Sequence, residues 1–165
     1  MSENNQDLQE KFRQAMRRMV STVSIITATY EREPLGMTAT SVTCVSFEPL
    51  SMLVCVHKKS KFHEVIANSR HFCINLLHKN QQKISNHFST PGSGETQFSC
   101  GAWEQKNDLH YLRDAQANLF LTVENTRSFG THGLFIGTVF DIEYTEDIAP
   151  LLYANGHYGE VKNAS

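Results

Sequence analysis

Short runs of β-branched residues recur along this chain, and helical periodicity never alternates with them in a regular way. Residues 20–30 (VSTVSIITATY), 37–47 (MTATSVTCVSF), 52–56 (MLVCV), 71–77 (HFCINLL), 117–125 (ANLFLTVEN), 132–144 (HGLFIGTVFDIEY) and 150–158 (PLLYANGHY) have the composition of strands. Pro34 and Gly36 mark a turn between the first two runs, which predicts a hairpin. Leu8, Phe12, Met16 and Met19 fall on one helical face, which predicts a helix over 8–19 packed on the body of the domain. A second helix starts near Phe62, with Val65 and Ile66 at helical spacing, and a third fits 79–89, with Ile84 and Phe88 four apart. At least six strands, two or three short helices and no βαβ alternation predict an antiparallel barrel with peripheral helices, not a doubly wound sheet.

Composition narrows the partners. At 165 residues and 40% hydrophobic, the chain predicts one domain with a real core. A net charge of -2 and a pI near 6.4 predict neither nucleic acid nor an anionic membrane as partner. No apolar run approaches the roughly 20 residues of a membrane span. The polar start MSENNQD does not read as a secretory signal. Cys44, Cys55, Cys73 and Cys100 form no CxxC pair, so reduced thiols in a cytoplasmic protein are expected. Eight histidines raise the question of a metal, but no HExxH or zinc-like spacing occurs and none is expected. GxSxG, Walker and GxGxxG loops are absent from the sequence.

Residues 47–66 carry the densest chemistry. They read as a turn, a buried strand, a polar loop and a helix start. Lys58, Lys59, Ser60 and Lys61 in that loop could cradle a phosphate, because helix-start N–H groups, a hydroxyl and positive charge all favour an anion. The alternative is a solvated basic loop with Ser60 as a helix cap. Thr38, Thr40, Ser41, Thr43 and Ser46 put hydroxyls on both faces of run 37–47. That suits a half-exposed barrel strand or a strand facing a polar ligand. Asn75 interrupts an apolar run and needs partners, with a structural role favoured over a ligand contact. Phe98 and Trp103 are either a lid on a flat ligand or packing. Gly130 and Gly133 permit an unusual path around His132, a possible donor or simply a solvated loop histidine.

In chain order, FRQAMRRMVSTVSIITA (12–28), GMTATSVTCVSFEP (36–49), LVCVHKKSKFHEVI (53–66), FCINLL (72–77), FSCGAW (98–103), GTHGLFIGTV (130–139) and PLLYANGHY (150–158) together resemble the short-chain flavin reductase family. Its members are reductase components of two-component flavin-dependent monooxygenases, such as that of 4-hydroxyphenylacetate 3-monooxygenase. The resemblance implies one flavin reductase-like domain over 1–165 with a core of about 12–158. It further implies an FMN-binding split β-barrel, antiparallel and Greek-key-like, that forms a homodimer with flavin near the subunit interface. By the same resemblance Thr38, Ala39, Thr40 and Ser41 meet the flavin, Cys55 and Val56 offer strand-end backbone contacts, and Ser60, beside Lys61, holds the phosphate. Asn75 matches a strand asparagine, and Phe98 and Trp103 match a flexible segment near the cofactor. Gly130, Thr131 and His132 match a G-T-H signature whose histidine lies near the nicotinamide, with Tyr153 on the same side. The chain departs from the pattern at His57 (usually Asn), Lys59 (commonly Ser) and Phe62 (usually Thr).

The implied activity is that of an NAD(P)H:flavin oxidoreductase. It passes a hydride from nicotinamide to FMN or FAD, and the reduced flavin diffuses to a partner monooxygenase. NADH is favoured over NADPH, since no arginine pair is placed to hold a 2′-phosphate. The alternative is a flavin-binding electron carrier or store of the same fold.

Overall fold

The computed structural model describes residues 3–92 and 94–162. Helix α1 (Glu3–Met16) precedes the short strand β1 (Ser21–Thr22). Strands β2 (Ser24–Tyr30) and β3 (Glu33–Ala39) form one hairpin, and β4 (Val42–Phe47) and β5 (Leu50–His57) form another. Helix α2 (Lys61–Asn68) leads to β6 (His71–Leu76), and helix α3 (Gln82–Phe88) follows. Then come three hairpins: β7 (Trp103–Lys106) with β8 (Leu109–Leu112), β9 (Ala117–Phe129) with β10 (His132–Tyr144), and β11 (Leu152–Ala154) with β12 (His157–Gly159).

The main sheet runs β3-β2-β6-β9-β10-β5-β4, antiparallel at every pairing. Its two edge strands are consecutive in the chain, joined only by Thr40 and Ser41. Flat, seven strands would hold those edges about 29 Å apart. Two linking residues span at most about 11 Å. The sheet therefore curls strongly, although β3 and β4 share no ladder and the sheet does not close. The concave side holds the fully buried Ile26, Val54, Phe72, Ile74, Leu121 and Phe135, and α2 covers them with Phe62, Val65 and Ile66. A second cluster joins Val23, Ile25, Leu77, Phe88, Phe98 and Leu112.

Mainly antiparallel β structure with short helices agrees with the expectation. The predicted strand 37–47 is split, because the chain leaves one sheet edge at Ala39 and joins the other at Val42. The turn before it is tighter than Pro34 and Gly36 suggest. It consists of Glu31 and Arg32, with φ of 51° and 67°, the backbone of a two-residue hairpin turn. Pro34 and Gly36 lie inside β3, where a sheet edge tolerates both. Helix α1 forms, but its apolar face does not pack on the domain: Leu8 and Phe12 are 64% and 63% exposed.

His110 on β8 is buried against Phe98, ring centroids 4.3 Å apart, and its Nδ1 has no hydrogen-bond partner among the described residues. Burial holds this imidazole below its ordinary value of about 6.5, with Glu95 opposing the shift. A depressed histidine stabilises the fold fully above its unfolded value. That contribution is lost as pH falls from about 6.5 toward the folded value, where the unfolded chain binds the extra proton. Thermal melts are expected to show Tm falling as pH drops below about 6.5, with a shallower fall for His110→Gln. An unchanged slope in the variant would remove His110 from this acid sensitivity.

Candidate active site

A cleft of about 860 Å³ opens where β3, the loop before α2, helix α3 and the β11–β12 hairpin meet. Met37, Thr38 and Thr40 form one wall. Lys59, Ser60 and Lys61 form the rim above α2. Ser85, Asn86 and Ser89 face them from α3 and its C-terminal end, and Tyr153 and Tyr158 close the side. Among the described residues, the lining holds two lysines and no carboxylate. Such a lining favours an anion.

The loop geometry follows from Ser60. It is the N-cap of α2: its Oγ donates to the His57 carbonyl at 2.8 Å and accepts from the His63 N–H at 3.2 Å. The cap is formed as the simpler expectation had it, and it does not exclude an anion. Capping satisfies His63, whereas Lys61 and Phe62 in the same first turn have no intrahelical acceptor. Lys58 is committed elsewhere. Its Nζ donates to the Gly130 carbonyl at 2.8 Å and its N–H to the Thr131 carbonyl at 2.9 Å.

The β3 wall is anchored from outside the sheet. The Thr38 hydroxyl donates to the Ser85 carbonyl at 2.6 Å. Two residues earlier, the Gln97 side chain behaves like a neighbouring strand. Its Oε1 accepts from the Gly36 N–H at 2.9 Å and its Nε2 donates to the Gly36 carbonyl at 3.0 Å. Gly36 must lack a side chain, since a Cβ there would stand 2.6 Å from the Phe88 ring. Tyr153 and Tyr158 pair across the β11–β12 hairpin, ring centroids 5.3 Å apart. The Tyr158 hydroxyl donates to Asn86 Oδ1, which leaves Ser85 Oγ as the donor to Tyr158 at 2.9 Å.

Of the predicted site residues, Thr38, Thr40, Ser60, Lys61 and Tyr153 meet at this cleft. Ala39 is buried beside it, and Ser41 is exposed, with its carbonyl accepting from the Cys55 N–H. Cys55 is half-buried and Val56 fully buried in β5. Asn75 is fully enclosed, donating to the Ile25 carbonyl and accepting from the Leu112 N–H, so both ends of its amide serve the fold. Phe98 and Trp103 do not form a lid. They pack on each other and on Phe88 at 5.0 to 5.5 Å, one layer behind the cleft. Gly130, Thr131 and His132 form the exposed β9–β10 turn, outside the cleft lining. Gly130 takes φ +53°, whereas Gly133 is ordinary strand kept bare by His63, whose Nε2 would lie 2.5 Å from a Cβ.

Sequence reasoning missed Ser85, Asn86, Gln97 and Tyr158. Asn155-Gly156 was the available signal for Tyr158, because that dipeptide specifies a tight hairpin and sets Tyr158 opposite Tyr153. Among the described residues, no group of three or more His, Cys, Asp or Glu side chains could hold a metal ion.

The flavin reductase like domain family matches residues 16–162. The reductase component of FADH(2)-dependent resorcinol hydroxylase from Rhizobium sp. (strain MTP-10005) is 38% identical, over 90% of this chain and 85% of the relative. The FMN reductase (NADH) RutF of Pseudomonas syringae pv. syringae is 30% identical, over 89% of this chain and 83% of the relative. The solved flavin reductase PheA2 in its native state superposes with a TM-score of 0.83 at 30% identity, covering 99% of this chain and all of the other.

Proposed function

The chain belongs to the flavin reductase like domain family, and from that membership we propose that it is an NAD(P)H:flavin oxidoreductase supplying reduced FMN or FAD to a partner monooxygenase. Relatives named as a monooxygenase's reductase component and as an NADH-dependent FMN reductase support this assignment. The observation that carries it to this chain is the cleft lining. A hydroxyl-bearing strand, a capped helix start and two lysines without a carboxylate suit a flavin phosphate. Its volume of about 860 Å³ lies within the range of cofactor pockets.

Flavin, when bound, supplies the two-electron acceptor chemistry, and the protein supplies binding, orientation and electrostatics. Thr38 and Thr40 present the ring-facing wall. Ser60, through the helix start it caps, and Lys61 and Lys59 hold the phosphate. Ala39, Ser41, Cys55 and Val56 contribute backbone close to the ring. His132 and Tyr153 orient the dinucleotide, with no proton transfer required of His132. Asn75, Phe98 and Trp103 support the site from behind. NADH is the proposed donor.

The whole chain is proposed as one domain with a core of about 12–158, cytoplasmic, and folded as a split barrel. A sheet whose edges are joined by two residues supports the barrel. No helix among the described residues is long and apolar enough to cross a membrane. A homodimer is proposed because apolar side chains stand exposed on α1 (Leu8, Phe12) and on the β4–β5 hairpin (Val45, Phe47, Leu50). Sedimentation equilibrium is expected to return twice the 18.7 kDa chain mass, and a monomer at micromolar concentration would contradict the dimer.

The deciding experiment mixes the protein with NADH and excess free FMN or FAD and follows NADH absorbance. Repeated turnover is expected. A single stoichiometric bleaching would mean a flavin carrier, and no change would remove the activity. His132→Ala is expected to raise KM for NADH about tenfold, the loss of one well-placed polar contact, while the flavin dissociation constant stays within about twofold. Equal loss of both would refute its assignment to the nicotinamide.

A further inference from the structure

His57 is the last residue of β5 and lies directly opposite His132, the first residue of β10, in the antiparallel register. The two imidazoles meet edge to face, centroids 5.1 Å apart and planes at 82°. Each ring is also held from its own side. His57 Nδ1 accepts from the Lys59 N–H at 3.1 Å, which places the neutral ring's proton on Nε2. His132 Nδ1 lies 2.9 Å from Thr131 Oγ1. Around this pair the two loops are laced together. Lys58 reaches the Gly130 and Thr131 carbonyls, and the Ser60 hydroxyl returns to the His57 carbonyl.

We propose that His57 is a positioning residue, which joins the lysine-serine loop on the cleft rim to the His132 turn. Through its backbone carbonyl and Nδ1 it fixes the backbone and cap at Lys59 and Ser60, two residues of the anion end. Through its ring it limits the rotation of His132 on an otherwise exposed turn. The nicotinamide dinucleotide thus meets a histidine already oriented by the loop that holds the flavin phosphate. This extends the oxidoreductase reading above and rests on it. Neither link requires His57 to touch substrate.

The test uses the full chain with His57→Ala and His57→Asn. In the flavin-free protein, ¹H–¹⁵N spectra of the imidazoles report the environment of His132, and FMN fluorescence quenching and KM for NADH report the two ends. His57→Ala is expected to move the His132 ring signals and to raise KM for NADH about three- to tenfold, the scale of one aromatic contact, with kcat within about twofold. It also weakens FMN binding by about the value of one hydrogen bond, roughly two- to tenfold. His57→Asn offers Oδ1 to the Lys59 N–H. It is expected to restore FMN affinity to within about twofold of the parent and to leave the His132 signals displaced. Unmoved His132 signals in His57→Ala would overturn the proposal. So would an equal loss of FMN and NADH affinity that Asn does not relieve, since that describes a residue needed only for the loop's fold. His132→Ala separates the two readings. An unchanged KM there defeats the nicotinamide assignment, while the ring signals of His57→Ala still decide whether His57 orients His132.

Discussion

Gln97→Met is expected to lower Tm by about 5 to 15 °C and to weaken flavin binding with it. Methionine nearly matches glutamine in length and volume but can neither accept from the Gly36 N–H nor donate to its carbonyl. Both groups are buried on the edge of the main sheet. A side chain of similar size also keeps water from replacing the lost partners, which alanine would not do. Each buried backbone group left unsatisfied costs roughly 1 to 3 kcal/mol, so the pair costs roughly 2 to 6 kcal/mol. In a domain of this size each kcal/mol moves Tm by about 2 to 4 °C. Flavin affinity falls because Met37 and Thr38, the next residues along β3, line the cleft. Differential scanning calorimetry and FMN titration check both effects. A melting point within about 2 °C of the parent, a shift below 1 kcal/mol, would show that the clasp is dispensable.

The double substitution Lys59→Ala, Lys61→Ala is expected to weaken FMN binding about 30- to 100-fold while riboflavin binding changes less than about twofold. Riboflavin has the same ring and ribityl chain but no phosphate, so it isolates the anion contribution. Both lysines are exposed, and screening reduces the value of each contact. FMN affinity of the parent should accordingly fall as salt rises, and that of the variant should fall less. Equal losses for the two ligands would mean that the lysines support the loop and do not hold the phosphate.

How much of this was legible in the sequence depended on the range of the interactions involved. The strand, loop and helix over 47–66 were readable because a run of apolar residues, a polar break and helical spacing are local signals. Phe62, Val65 and Ile66 are buried as that spacing predicts. The break at Thr40 and Ser41 was not readable. Residues 37–47 have uniform strand composition, and only the curl of the whole sheet sends their two halves to opposite edges. Gln97 was equally invisible. Its partner is Gly36, 61 residues away, and nothing near either residue announces the pairing. Gly36 itself looked like a turn residue. It is a strand residue held bare by Phe88, a close approach that sequence-local rules assign to turns. The hairpins at Asn107-Asp108 and Asn155-Gly156 carried ordinary turn dipeptides and could have been read. The face of α1 shows the converse limit. Its periodicity predicted the helix but not its surroundings: the expected packing on the domain does not occur, and Leu8 and Phe12 stand exposed among the described residues.

A crystal structure of the protein grown or soaked with FMN tests the central assignment most directly. The predicted result is flavin density along Thr38 and Thr40, with its phosphate against Ser60 and the α2 N-terminus and between Lys59 and Lys61. Full flavin occupancy elsewhere, with the space beside Ser60 empty, would contradict it.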